Sequence, residues 1–109
     1  MTTTIRIAIQ EDVPALSALI ERSAAGLSAG YYSEPQIAGA IRFVFGVDSQ
    51  LIGDGTYLVA EANGEICGCG GWSRRRTLYG GDQHKDHTDP PLDPRTDAAR
   101  IRAFFVAPA

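Results

Sequence analysis

The densest collection of reactive side chains in the sequence is Asp82-x-His84-x-Asp86-His87-x-Asp89, which sets imidazoles and carboxylates within one short segment. Those donor types suit a divalent cation, and a histidine near its ordinary titration range could serve as a general base, with His84 the candidate. Pro90 and Pro91 bound the segment, and no period turns its groups inward. A solvated loop is therefore expected, and no metal site. Just upstream, Arg74-Arg75-Arg76 offers planar cations for phosphate or carboxylate, with Trp72 and Tyr79 near enough to stack on a guanidinium. A basic run beside a strand reads equally as an ordinary solvated patch. Glu61 would be a base or an amine anchor if it faces a cleft, and an exposed strand carboxylate if it does not. Tyr31, Tyr32 and Glu34 gather beside Gly30, where a loop has something to contact. Cys67 and Cys69 stand two apart in a strand-like run, a spacing that suits neither a disulfide nor redox work, so small buried hydrophobes are expected.

Composition narrows the classes that these groups can serve. With 10 Lys and Arg against 13 Asp and Glu, the net charge of -3 gives no general attraction for polyphosphate or anionic lipid. Neither nucleic acid nor a membrane is an expected partner. No apolar run approaches the ~18 residues of a membrane span, and Met1-Thr-Thr-Thr4 lacks the basic and apolar regions of a signal peptide. The expected compartment is the cytoplasm. An apolar content of 44% with 21% charged residues is that of a folded globular chain. Its 109 residues make one domain or part of one.

The elements that must position the candidates are legible from period and punctuation. Ile5, Ile7 and Ile9 alternate with Arg6 and Ala8, which predicts a strand with its isoleucine side buried. Asp12 offers an N-cap carboxylate and Pro14 a first-turn proline to a helix carrying Val13, Leu16, Leu19 and Ile20, expected to run to about Ala25 and close at Gly26. Ser33-Glu-Pro-Gln36 is a second helix start with a capping box, followed by the stripe Ile37, Ala40, Ile41, Val44 and Phe45 and an end at Gly46. Asp48 can cap a short turn through Leu51 and Ile52 before Gly53-Asp-Gly55. Residues 56–62 and 65–72 flank Asn63-Gly64, a hairpin turn of the strongest two-residue kind. Gly68, Gly70 and Gly71 in the second of these strands point to a bulge or a close approach. Residues 73–97 form a loop of about 25 residues, long for a compact domain. A last strand spans about 99–106 and turns Phe104 and Phe105 to opposite faces, so both faces of its sheet should be covered in the complete fold.

Taken in order, strand, helix, helix, hairpin, long loop and a strand closing on Val106-x-Pro108 resemble the N-terminal portion of the GNAT-type N-acetyltransferases. Residues 5–16, Ile-Arg-Ile-Ala-Ile-Gln-Glu-Asp-Val-Pro-Ala-Leu, are similar to that superfamily's first strand and helix, while Leu58-Val-Ala-Glu61 and Glu65-Ile-Cys-Gly68 are similar to its second and third strands. Gly71-Trp72-Ser73 with residues 74–82 resembles one bacterial subgroup of small acetyltransferases. The resemblance implies an α/β fold of the α+β type with a mainly antiparallel sheet, residues 1–109 forming one partial domain and 73–97 its long flexible loop.

The activity it implies is transfer of an acetyl group from acetyl-CoA to a small-molecule or peptide amine. The backbone of Phe104, Phe105 and Val106 would face the thioester carbonyl and the pantetheine, which requires a strand splayed by a bulge. Tyr31, Tyr32, Glu34 and Trp72 would contact the acceptor. In that superfamily the strand leads into a Q/R-x-x-G-x-G/A loop whose amides hold the cofactor's pyrophosphate, and no such loop follows Val106. Two expectations result: a truncated acetyltransferase half that is inactive and binds acetyl-CoA poorly alone, or a non-catalytic interaction or oligomerisation module derived from that fold. Both leave the final strand with an open edge, which predicts a homodimer through it.

Overall fold

The structure, a computed structural model, describes residues 2–43, 45–76, 81–82 and 90–108. His84 and the rest of its imidazole and carboxylate cluster beyond Asp82 lie outside the described residues, as does Tyr79. The elements run β1 (Thr3–Ile7), a 3₁₀ turn (Gln10–Asp12), α1 (Val13–Ser28), α2 (Glu34–Phe43), α3 (Ser49–Gly53), β2 (Tyr57–Ala62), β3 (Glu65–Ser73) and β4 (Arg100–Val106). The strands pair antiparallel in the order β1-β2-β3-β4, so β1 and β4 form the edges of one sheet. This is the expected α+β arrangement, with the turn after Asp48 adding α3.

Local chemistry accounts for the boundaries. Asn63 and Gly64 take φ of 54° and 77°, the left-handed pair that a two-residue hairpin needs. At the start of α2 the Ser33 hydroxyl accepts from the Gln36 amide at 3.2 Å while the Ser33 amide donates to Gln36 Oε1 at 2.8 Å, a reciprocal capping box. Asp48 accepts from the Gln50 amide at 3.0 Å and so caps α3.

The start and end of α1 depart from expectation. Asp12 does not cap it: its carboxylate accepts from the Ile9 amide at 2.8 Å and from both terminal nitrogens of Arg6 at 2.8 Å. Those guanidinium bonds hold the Asp12 carboxyl below its ordinary range. Nor does α1 close at Gly26, since the helix continues to Ser28. A Cβ at Gly26 would stand 2.6 Å from Pro108 Cγ, so this glycine serves the close approach of the segment after β4.

The larger correction concerns the sheet faces. Leu16, Leu19 and Ile20 of α1, with Leu51 and Ile52 of α3, form the core against Ala8, Tyr57, Val59 and Cys69. The isoleucine side of β1 is not part of it: Ile5 and Ile7 are exposed, on the opposite face of the sheet. Leu58 of β2, Trp72 of β3 and Ile101, Phe104 and Val106 of β4 share that open face. Alternation states which residues share a side, whereas the side that the helices cover is decided by tertiary ties. Here Arg6, on the covered side, links β1 to Asp12 at the start of α1 and to Glu61 on β2.

On the covered side, Arg102 of β4 and Asp48 form an ion pair at 2.8 Å with side chains only 2% and 1% exposed. The segment between β3 and β4 is anchored at several of its described residues. Arg75 bridges to Pro91, Arg76 donates its amide to the Pro90 carbonyl, and Leu92 is buried. Asp82 gives its amide to Val47 and takes the Ser49 amide at 3.0 Å.

Candidate functional site

β4 is interrupted by a bulge opposite β3. Cys69 pairs with Phe105 and Gly71 with Arg102, so Gly70 alone faces both Ala103 and Phe104. The extra residue makes a bulge, and Ala103 enters the left-handed region with φ of 57°, a conformation costing a non-glycine residue about 1–2 kcal/mol. One hydrogen bond opposes that cost: the Tyr57 hydroxyl donates to the Ala103 carbonyl at 2.7 Å. Tyr57 belongs to β2, so its side chain must cross β3, and it does so at Gly71. A Cβ on Gly71 would collide with the Thr56 carbonyl oxygen and come within 3.0 Å of Tyr57 Cδ1. The glycine therefore makes room for the tyrosine that fixes the bulge.

Cys69 Sγ lies 3.1 Å from the same hydroxyl. Burial pushes the Tyr57 phenol and the Cys69 thiol above their ordinary values, so both are neutral at physiological pH. They position the backbone and offer neither a base nor a nucleophile. Cys67 and Cys69 are free thiols, with Cys69 buried and Cys67 partly so.

Beyond the bulge, the backbone divides its bonds. The Ala107 amide returns to the Cys67 carbonyl at 2.9 Å, while the Val106 amide turns toward α1 and donates to Ser23 Oγ at 3.3 Å. Phe104 directs its ring to the open face and Phe105 to the covered one, where it meets Phe45 edge-on at 5.9 Å and 75°. The bulge thus interrupts β4 between Arg102 and Phe105, while the Val106 amide is already held by Ser23.

Phe45 also walls a groove of about 360 Å³ between α1 and α2, lined with Ala24, Ser28, Tyr32, Gln36 and Ile37. One aromatic ring thus joins the groove to β4. Tyr32 lies on the groove wall, and Tyr31 and Glu34 are exposed beside it at the α1–α2 junction. Trp72 does not join them, because it sits on the opposite face of the sheet from α1. Glu61 lies on the helix side, its carboxylate bonded to Arg6 Nε.

Within the arginine run, Arg75 is not a solvated cation: it grips Asp54 through two hydrogen bonds of 2.7 and 2.9 Å, and Arg74 approaches the same carboxylate at 3.6 Å. Gln50-x-x-Gly53-x-Gly55, a literal match to the phosphate-loop pattern, lies at the C-terminal end of α3. Its amides are spent internally, Gln50 on the Asp48 carboxylate, Leu51 on the Asp48 carbonyl, Asp54 on the Gln50 carbonyl and Gly55 on Ile52, so it is no anion cradle. Among the described residues, no group of three His, Cys, Asp or Glu side chains could hold a metal ion. None of the described helices is long and apolar enough to cross a membrane.

No protein-family model matches the sequence, and no curated protein matches it either. Among solved structures, the chain is similar to the PaiA N-acetyltransferase of Thermoplasma acidophilum, determined in complex with coenzyme A. The TM-score is 0.50 at 22% sequence identity, over 66% of this chain and 50% of that one. The matched region thus spans about half the length of that protein. The matched region shares part of that structure's fold, an antiparallel sheet with helices packed on it.

Proposed function

We propose that this chain supplies the acceptor wall and the thioester-facing strand of an enzyme that moves an acetyl group from acetyl-CoA to an amine. The observation that carries the reading is the β4 bulge at Ala103, pinned by Tyr57 across β3. An interrupted edge strand can orient a thioester through main-chain groups alone, with no particular side chain required. The likeness to an acetyltransferase fold supports the same reading, and the coenzyme A in that neighbour's structure supports acetyl-CoA as the donor.

In this reading the amine acceptor lies in the groove between α1 and α2, its apolar part against Tyr32 and Ile37, with Tyr31 and Glu34 at the entrance. The amine nitrogen bonds to the acetyl carbon as the carbon–sulfur bond breaks, coenzyme A leaves as the thiolate, and the nitrogen's proton passes through water to that thiolate. Glu61 is poorly suited as the base because its carboxylate is already hydrogen-bonded to Arg6 Nε. Residues 1–109 alone hold acetyl-CoA weakly and turn it over poorly, since the amides of the Gln50–Gly55 match are already bonded. The two free thiols fit the reducing cytoplasm.

A probe that separates strand from phosphate contacts tests this. S-acetylpantetheine and acetyl-CoA should bind with millimolar affinities within about threefold of each other, because β4 reads only the part they share. Micromolar calorimetric affinity for acetyl-CoA, with S-acetylpantetheine 100-fold weaker, would overturn it. The second reading, a non-catalytic interaction or oligomerisation module, is favoured by one observation, the open apolar face of the sheet.

A further inference from the structure

Successive N–H groups along a strand point to opposite sides, and the Ala107 amide returns to β3 at the Cys67 carbonyl, so the Val106 amide before it turns away from β3. There it meets α1. It donates to Ser23 Oγ at 3.3 Å, and Ser23 is a buried serine, 4% exposed, on the side of α1 that faces β4. Three residues further along α1, Gly26 admits Pro108, so the helix stays close to the chain as it leaves the strand. The contact lies wholly within α1 and β4.

Ser23 Oγ gives this amide what the carbonyl oxygen of a thioester or an amide would give it, one neutral acceptor. A main-chain N–H that is shielded from water and left without an acceptor is destabilising, so a site that awaits a carbonyl needs something in its place. A hydroxyl suits that part. It can rotate aside and donate its own proton elsewhere, which a backbone carbonyl fixed in a ladder cannot do. The bond is also longer than the roughly 2.7–3.2 Å usual for N–H to oxygen, and so is readily exchanged.

We propose that Ser23 is a stand-in for the acyl donor: its hydroxyl holds the Val106 amide in the empty chain and yields that amide to a carbonyl oxygen of the acetylpantetheine arm when the donor binds. The proposal rests on the acyl-donor reading of β4 and deepens it, because it makes donor affinity depend on a side chain of α1. Ser23 acts through the amide and touches no reacting atom, so it is a positioning residue. Donor binding must first break one neutral hydrogen bond, which holds affinity down by about two- to tenfold.

Ser23→Ala removes the stand-in, and Ser17→Ala makes the same change in helix preference earlier on α1, away from Val106. Ser23→Cys keeps the volume with a weaker acceptor. Amide exchange of the empty proteins and amide-resolved titration with S-acetylpantetheine read the two halves of the proposal. Ser23→Ala should exchange its Val106 amide at least about threefold faster and bind S-acetylpantetheine about two- to tenfold more tightly, with Ser23→Cys shifted the same way and Ser17→Ala like the wild type. Unaltered Val106 exchange in Ser23→Ala overturns the proposal, as does an equal affinity. A lower affinity also overturns it and makes Ser23 a brace that binding needs, and an equal gain in Ser17→Ala overturns it by assigning the effect to helix stability. All of these leave the acyl-donor reading standing. Absence of saturable β4 shifts in every one of the proteins is a different result, which removes that reading and the stand-in with it.

Discussion

The Tyr57 hydroxyl on β2 passes Gly71 of β3 to donate a hydrogen bond to the Ala103 carbonyl on β4, 2.7 Å away. A contact between strands that are not neighbours fixes the one non-glycine residue of β4 in the left-handed region, and with it the path of Phe104 through Val106.

Tyr57→Phe keeps the buried ring and removes only that bond. The expected loss is about 1–2 kcal/mol in urea unfolding, since the Ala103 carbonyl loses its buried donor. Amide shifts should change most at residues 103–105, and a uniform loss of stability with β4 shifts unchanged would detach Tyr57 from the bulge.

Two neighbouring glycines should behave differently. Gly71→Ala meets backbone at Thr56 and Tyr57, which cannot yield, and a loss of about 3 kcal/mol or failure to fold is expected. Gly70→Ala meets the Phe104 ring at 2.5 Å, and that ring is mostly exposed and can swing away, so a loss nearer 1 kcal/mol is expected. Thermal melts of both variants check the order, and equal losses would contradict it.

The buried pair Arg102–Asp48 ties β4 to the cap of α3. Removing one member strands the other's charge, so Arg102→Met and Asp48→Ala should each cost about 3–5 kcal/mol. Denaturant midpoints read this, and a change below about 1 kcal/mol would show that the pair is not closed to water.

Acid should weaken the fold. Hydrogen bonds from Arg6 and from Arg75 hold the carboxyls of Asp12 and Asp54, respectively, below their ordinary value of 3.8. A carboxyl whose folded value is depressed contributes fully above its unfolded value, and the contribution drains away as pH falls through the folded one. Urea midpoints should therefore hold from pH 7 to about pH 5 and fall below it. Arg75→Gln should lower the plateau and make the acid decline shallower, and an unchanged acid limb would remove Asp54 from this account.

Much of the scaffold could be read before any coordinates. Asn63-Gly64, the Ser33–Gln36 box and the Asp48 cap are signals contained within a few residues, and each formed where expected. What depended on distant pairing was not legible. The period of Ile5 and Ile7 defines a face without saying which face α1 covers. Gly26 looked like a helix stop because Pro108, far along the chain, was invisible to local reasoning. Trp72 looked like a neighbour of the tyrosines until the sheet stood between them. Gly70 and Gly71 did announce a close approach, but only the register of three strands shows that Tyr57 is what passes there.

The most direct test is an amide-resolved titration of the wild-type chain and Tyr57→Phe with S-acetylpantetheine into the millimolar range. Saturable shifts confined to Phe104, Phe105, Val106 and their neighbours, weakened at least fivefold in Tyr57→Phe, are the predicted result. Shifts that avoid β4, or identical titrations of the two proteins, would contradict the claim that this pinned bulge is the acyl-donor site.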